Sequence, residues 1–420
     1  KAHIIKKTVE GAISESIPAT FLQTHGNVGV ILDAASSAEL TRIKTPWLVG
    51  SVEWEQKTRK KAIVWLSSMV HKSILKLTDR DYNENGLSEL VAQYGPAYNI
   101  NIEVFNLLQK TITGWPGGKP NTDDTNRPER AFPFPKRVVI FSPHPDDDII
   151  SMGGTFIRLV DQGHDVHVAY QTSGNIAVYD EDVIRFADFA TDFNQFIHEG
   201  EDTTTAFFKN TVQTLKNKKP GEMDPTSVMK MKGLIRRGEA KATCRYVGIP
   251  DANAHFLDMP FYETGLVKKN PIGREDIDCV KKILIDLKPN QIFAAGDLSD
   301  PHGTHRVCLK AIFLALNELK DEEWMQECRV WLYRGAWQEW DIDQIEMAIP
   351  LSPDELMRKR RGIFKHQSQK DAPMFPGADP REFWQRAEDR NRTTANTYNT
   401  LGLPEYEAIE AFVKWDGRLI

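Results

Sequence analysis

Apolar residues fall into distinct patterns along the chain, and the changes from one pattern to the next divide it. Near the start, the run Val28-Gly29-Val30-Ile31-Leu32-Asp33-Ala34 sets β-branched residues between turn formers, which predicts a short strand. Over 51–113, Ile63, Leu66, Val70, Ile74 and Leu77 recur at spacings of three and four, the repeat of one helix face. Pro, Gly and Asn then crowd 114–135, the composition of a linker. From Lys136 the pattern turns to strand, helix, strand. Val138-Val139-Ile140-Phe141 is an unbroken apolar run, as expected of a parallel strand covered on both faces. Met152, Phe156, Leu159 and Val160 share a helix face, and Gly163 sits where that helix should stop. Residues 165–170, 291–296 and 330–333 read as further strands, and Ile277, Val280, Leu284 and Leu287 line another helix. Strands alternating with helices predict a doubly wound, mostly parallel, Rossmann-like α/β sheet. The expected order is a partial α/β segment over 1–50, a helical segment over 51–113, a linker over 114–135 and a large α/β domain over 136–420. Residues 176–232 are longer than a connection requires and read either as a lid or as a structural excursion.

Composition narrows the function. The 420 residues are 40% hydrophobic, enough for more than one core. A net charge of −6 gives no reason to expect nucleic acid or an anionic membrane as partner. No apolar run is long enough to span a bilayer, so no membrane partner is expected. Cys244, Cys279, Cys308 and Cys328 are scattered without paired spacing, which points to a reducing, cytoplasmic setting. The chain opens on Lys1 in mid-pattern, as expected of a piece of a longer protein.

Two polar clusters follow predicted strands, where ligands of such sheets gather. The first is Ser142-Pro143-His144-Pro145-Asp146-Asp147-Asp148, and the second is Asp300-Pro301-His302-Gly303-Thr304-His305. Carboxylates at a buried strand end are costly unless a cation or a hydrogen-bond network offsets them. Imidazole with carboxylate suits zinc, which keeps three protein ligands at a catalytic site. His144, Asp147 and His305 form such a set. Asp146 is then the spare carboxylate beside the metal, placed to take a proton from water. His302 is placed to stabilise an oxyanion or donate a proton. The plain alternative for the first cluster is a turn with solvated acids. A set of two histidines and one carboxylate also fits non-haem iron, although Asp146 as an extra base favours hydrolysis.

From about Val138 onward the chain resembles the PIG-L (LmbE-like) deacetylases. The resemblance rests on His144-Pro145-Asp146-Asp147-Asp148, where the family usually ends the motif in Glu, and on Gly153-Gly154. It continues through Arg236-Arg237-Gly238-Glu239, Val247-Gly248, Phe256-Leu257-Asp258, His302 with His305, and His366-Gln367-Ser368-Gln369. It implies one zinc, or another divalent metal, on His144, Asp147 and His305. It further implies Asp146 as general base, His302 as oxyanion stabiliser or acid, and Arg236 and Asp258 as holders of sugar hydroxyls or a phosphate. For Arg236 the alternative is a surface salt bridge to Glu239. Trp331, Trp337 and Trp340 suit either sugar stacking or core packing.

The first 50 residues resemble the last part of glucosamine-6-phosphate deaminases, with Lys1 where that family binds phosphate and with Phe21-Leu22-Gln23-Thr24-His25 continuing the likeness. A fused or associated deaminase is therefore an expected partner. The expected function is N-deacetylation of a small N-acetylglucosamine-type sugar, free or as its 6-phosphate. Lys230, Lys232, Arg237 and Lys241 beside Arg236 offer a phosphate site or a solvated helix face. The competing expectation is a silent sugar-phosphate-binding module that regulates the deaminase.

Overall fold

The computed structural model describes residues 2–121, 133–197, 203–219, 221–264, 268–296, 303–335, 338–370 and 379–417. Lys1, His302 and Trp337 lie outside the described residues. The chain divides into two units, one of residues 1–111 with 397–405, the other of 112–396 with 406–420.

The first unit is helical. It contains α1 (Ala2–Glu10), α2 (Ala34–Ser37), α3 (Thr41–Lys44), α4 (Gln56–Val70), α5 (Asp79–Glu84), α6 (Ser88–Tyr94) and α7 (Ala97–Thr111). The strand expected over 28–34 does not form, and Ile31 is fully exposed. A strand needs a neighbour for its backbone groups, and this unit holds no strand among its described residues. The helix face read through Leu77 is cut short as well. α4 ends where His71 turns left-handed at φ 53°. Ile74 and Leu77 are still buried, but from a 3-10 turn that follows.

The second unit is the doubly wound sheet. Its strands are β1 (Arg137–Ser142), β2 (Asp165–Tyr170), β3 (Ala254–Phe256), β4 (Gln291–Ala295), β5 (Arg329–Tyr333), β6 (Met347–Leu351) and β7 (Ala408–Lys414). Its helices are α8 (Asp147–Asp161), α9 (Asp180–Ile197), α10 (Thr203–Asn217), α11 (Thr226–Val247), α12 (Arg274–Leu287), α13 (Thr304–Glu318), α14 (Pro353–Ile363) and α15 (Phe383–Thr400). The strand order is β3-β2-β1-β4-β5-β7-β6. The first five strands are parallel, while β7 pairs antiparallel with both β5 and β6. Successive residues of β1 enter opposite cores. Val138 and Ile140 pack under α8, α11 and α14, while Val139 and Phe141 pack under α12 and α13. Burial on both faces is why these strands read as unbroken apolar runs.

α8 is broken at Met152, whose φ of −136° and ψ of 28° are not helical. The break frees backbone groups in a buried place, and distant side chains satisfy them. The amides of Gly154 and Thr155 donate to Glu410 at 3.0 and 2.7 Å, and the Ser151 carbonyl accepts from Arg390 at 3.1 Å. Lys359, fully buried, donates to Glu410 at 2.7 Å. Gly154 lets α8 lie against β6, since a Cβ there would stand 2.5 Å from the Leu351 side chain.

The region 176–232 is a folded excursion. α9, α10 and the start of α11 close on a small core of Val178, Val183, Leu215, Val228 and Ile235. Lys232 and Lys218 each bridge Asp180 and Asp224.

His164, at the foot of β2, is neutral by construction. It accepts the Lys136 amide on Nδ1 at 3.0 Å, and burial, then Lys136, pushes its pKa down from 6.5 to about 4. The unfolded chain therefore takes this proton first. The stability from His164 is full above pH 6.5 and is lost as pH falls toward 4, by about 3 kcal/mol at most. Urea unfolding at pH 7 and pH 5 should show this loss in the wild type and a smaller one in His164→Asn. Equal losses would show that His164 titrates as it does in the unfolded chain.

Candidate metal centre and substrate cavity

β1 and β4 are neighbours, and the chain leaves them in opposite directions, toward β2 and β3 on one side and β5 on the other. A crevice opens at such a switch point, at the carboxyl ends of the strands. The turn after β1 supplies His144, Asp146 and Asp147, and the first turn of α13, after β4, supplies His305. His305 of the second cluster thus reaches the first cluster.

The turn is held from beneath. The Ser142 hydroxyl donates to the His144 carbonyl at 2.5 Å and accepts the Asp148 amide at 3.1 Å. Thr172, at the end of β2, donates its amide and its hydroxyl to the Pro143 carbonyl at 3.1 and 2.7 Å. Asp148 is fully buried and accepts the Tyr170 hydroxyl at 3.1 Å. Burial pushes its carboxyl up to about 7, against the pull of Tyr170. Its place is the floor of the turn, a role that its position in the motif did not disclose.

One oxygen, Asp147 Oδ2, lies 3.1 Å from His144 Nδ1 and 3.2 Å from His305 Nε2. Ligand atoms of the three residues all lie within 4.8 Å of one another. Burial alone would raise the Asp147 carboxyl, yet His305 and His144 hold it well below the ordinary carboxylate range. Two imidazoles converging on one buried carboxylate oxygen form a donor set that fits a divalent cation such as zinc.

Asp146 stands beside this set without joining it. It is the N-cap residue of α8, but its side chain makes no cap bond. It pairs instead with Arg236 at 2.9 Å, and both side chains are buried. Burial pushes its carboxyl up, against the pull of Arg236. Gly174, at φ 65°, lets its loop lie close against Pro145 and Arg236, since a Cβ there would stand 3.0 Å from the Pro145 ring and 3.3 Å from the Arg236 guanidinium.

Arg236 is therefore no surface partner of Glu239. The Glu239 carboxylate accepts the amide and hydroxyl of Ser368, both at 2.7 Å, which ties the His366–Gln369 element to α11. His366 faces Thr243 at 2.9 Å, and burial, then Arg236, pushes its imidazole down to about 3. Trp331 is a core residue, and Trp340 gives its indole N–H to the Leu332 carbonyl at 3.1 Å.

Pro145 also lines a cavity of about 410 Å³, with Ser173, Asn175, Met229, Leu234, Arg237, Phe256, Asp258 and Glu263 among its walls. Asp258 is here as expected, but its partner is Arg237, at 2.6 Å, while Arg236 points to Asp146. The basic cluster expected around Arg236 is largely engaged by carboxylates: Arg236 by Asp146, Arg237 by Asp258, and Lys232 by Asp180 and Asp224. Arg237 also lies over the Phe256 ring at 4.6 Å. Glu263, Ser173 and Asn175 carried no motif signal. Glu263 sits in a turn without periodicity, and only the fold brings it to Ser173. Burial pushes its carboxyl up, against the pull of Ser173.

The chain is 59% identical over 418 residues to a glucosamine-6-phosphate deaminase-like protein of Bacteroides thetaiotaomicron, covering 99% of this chain. It spans 63% of that relative's length. A glucosamine-6-phosphate deaminase of Streptococcus suis is 55% identical over 40 residues, 10% of this chain and 17% of its own. Among solved structures, the N,N'-diacetylchitobiose deacetylase of Pyrococcus horikoshii is 19% identical, covering 67% of this chain and 84% of its own, with a TM-score of 0.42. That likeness bears on no reaction. The family model described as GlcNAc-PI de-N-acetylase matches residues 139–316, the stretch that carries both motif clusters, and this part of the chain is a PIG-L family domain.

Proposed function

We propose that this chain removes the N-acetyl group from an N-acetylglucosamine-type amino sugar as a metal-dependent amide hydrolase. The observation that carries the reading is the position of Asp146, a buried carboxylate beside the three candidate ligands and outside the set they form. In this reading His144, Asp147 and His305 hold one zinc or another divalent cation. When bound, that ion supplies a Lewis acid that polarises the acetyl carbonyl and makes water more acidic. Asp146 takes the proton from the attacking water, and Arg236 holds its carboxylate in place. His302 steadies the oxyanion and returns a proton to the leaving amine. Asp258 and the cavity beside Pro145 position the sugar.

The test is acetate release from N-acetylglucosamine by the zinc-loaded chain, before and after chelation. Equal amounts of acetate and free amine, lost on chelation and restored by metal, are expected. Tight sugar binding without acetate release would support a silent binding module and end the hydrolase reading. The resemblance of the first 50 residues to deaminases makes a deaminase domain the natural companion of this activity, because deacetylation yields an amino sugar.

A further inference from the structure

The cavity beside Pro145 has an apolar side, formed by Met229, Leu234 and Phe256, and a polar side, formed by Ser173, Asn175, Asp258 and Glu263. Its charges are unequal in setting. Arg237 is held by Asp258, and Lys230 is exposed. Glu263 is partly buried and fixed, accepting the Ser173 amide at 3.1 Å, the Ser173 hydroxyl at 3.0 Å and the Asn175 amide group at 3.2 Å. A charge in such a place is screened less than one in open solvent. On the cavity wall the carboxylate therefore outweighs Lys230; Lys269, over the Tyr262 ring at 3.6 Å, draws on the same carboxylate but is not among the lining residues.

Asn175 adds an independent observation. It is 4% exposed, and its Oδ1 has no hydrogen-bond partner. A buried acceptor of this kind calls for a donor. A sugar hydroxyl donates and accepts, whereas a phosphate dianion only accepts. The polar side of the cavity thus offers acceptors and negative charge, and Phe256 offers an apolar face.

We infer that Glu263 and Asn175 form a specificity-determining pair that selects an uncharged, hydroxyl-bearing sugar ring and disfavours a phosphorylated one. The inference rests on the deacetylase reading for the identity of the sugar, and binding measurements separate the two. Kd by calorimetry and kcat/KM by acetate release are to be measured on the zinc-loaded 420-residue chain, with N-acetylglucosamine and its 6-phosphate. Both should favour the unphosphorylated sugar by at least about tenfold. Glu263→Gln should bring that ratio to within about threefold. Leu234→Lys, a change at a wall residue 61% exposed, should shift the ratio toward the phosphate without touching Glu263 or the fold. Tighter binding of the 6-phosphate by the wild type would overturn the inference, as would a ratio that neither variant moves. Selective binding without acetate release would retain this pair and remove the deacetylase reading. Acetate release with a preference for the phosphate would do the reverse.

Discussion

Asp146→Asn is expected to keep its metal and to lose about a hundredfold or more in acetate release. The side chain is not among the three converging ligands, so zinc content should remain at one per chain. The amide that replaces it is of the same size and can still accept from Arg236. What it cannot do is take a proton. The loss should therefore fall on kcat, with KM nearly unchanged. Near-normal turnover would remove Asp146 from the mechanism, and loss of zinc would make it a ligand. Arg236 supplies a second check. Because Arg236 orients this carboxylate through a buried pair, Arg236→Ala should also lower kcat, and should destabilise the fold by leaving Asp146 buried without its partner.

His305→Ala is expected to abolish metal binding altogether. It removes one of the three proposed ligands and leaves His144 and Asp147 from a single turn, without the clamp across the crevice. Elemental analysis after dialysis should fall from one zinc per chain toward none, and activity should fall with it. His255→Ala is the control. That imidazole lies 3.0 Å from His167 at the β2–β3 edge, another close histidine pair of this unit. It should leave zinc content unchanged. Full zinc in His305→Ala would refute the assignment of ligands.

Which parts of this design could be read in advance follows from where each signal is stored. β1, β2, β4 and β5 announce themselves because both faces are buried, so their interior positions are apolar apart from His167 of β2. β6 and β7 do not. β6 carries Pro350, and β7 carries Glu410, a charge that pattern reading assigns to solvent. Its burial depends on Lys359, 51 residues earlier in the chain, a partner no local window contains. Residues 28–34 err in the other direction, with strand propensity but no neighbouring strand. At the candidate site, His144, Asp146 and Asp147 share one turn, so their spacing alone places them together, and the strand-end position of His305 is what pointed across the crevice. Arg236 and Arg237 were not separable, since only the phase of α11 decides that one meets Asp146 and the other Asp258. Glu263 was invisible for the same reason as Glu410, because its partners are distant in sequence.

The broken helix behind the metal loop imposes an order on synthesis. The amides of Gly154 and Thr155 wait for a carboxylate 256 and 255 residues later, and the Ser151 carbonyl waits for a guanidinium 239 residues later. A nascent chain emerging at about 5–20 residues per second can build α8 and pair β1 with β2 long before β7 leaves the ribosome. During that interval the turn bearing His144 and Asp147 hangs from a helix whose middle is unsecured. His305 emerges inside the same interval, so the three candidate ligands precede part of their scaffold. The candidate metal site reaches its final form only when the C-terminal strand secures the helix beneath it.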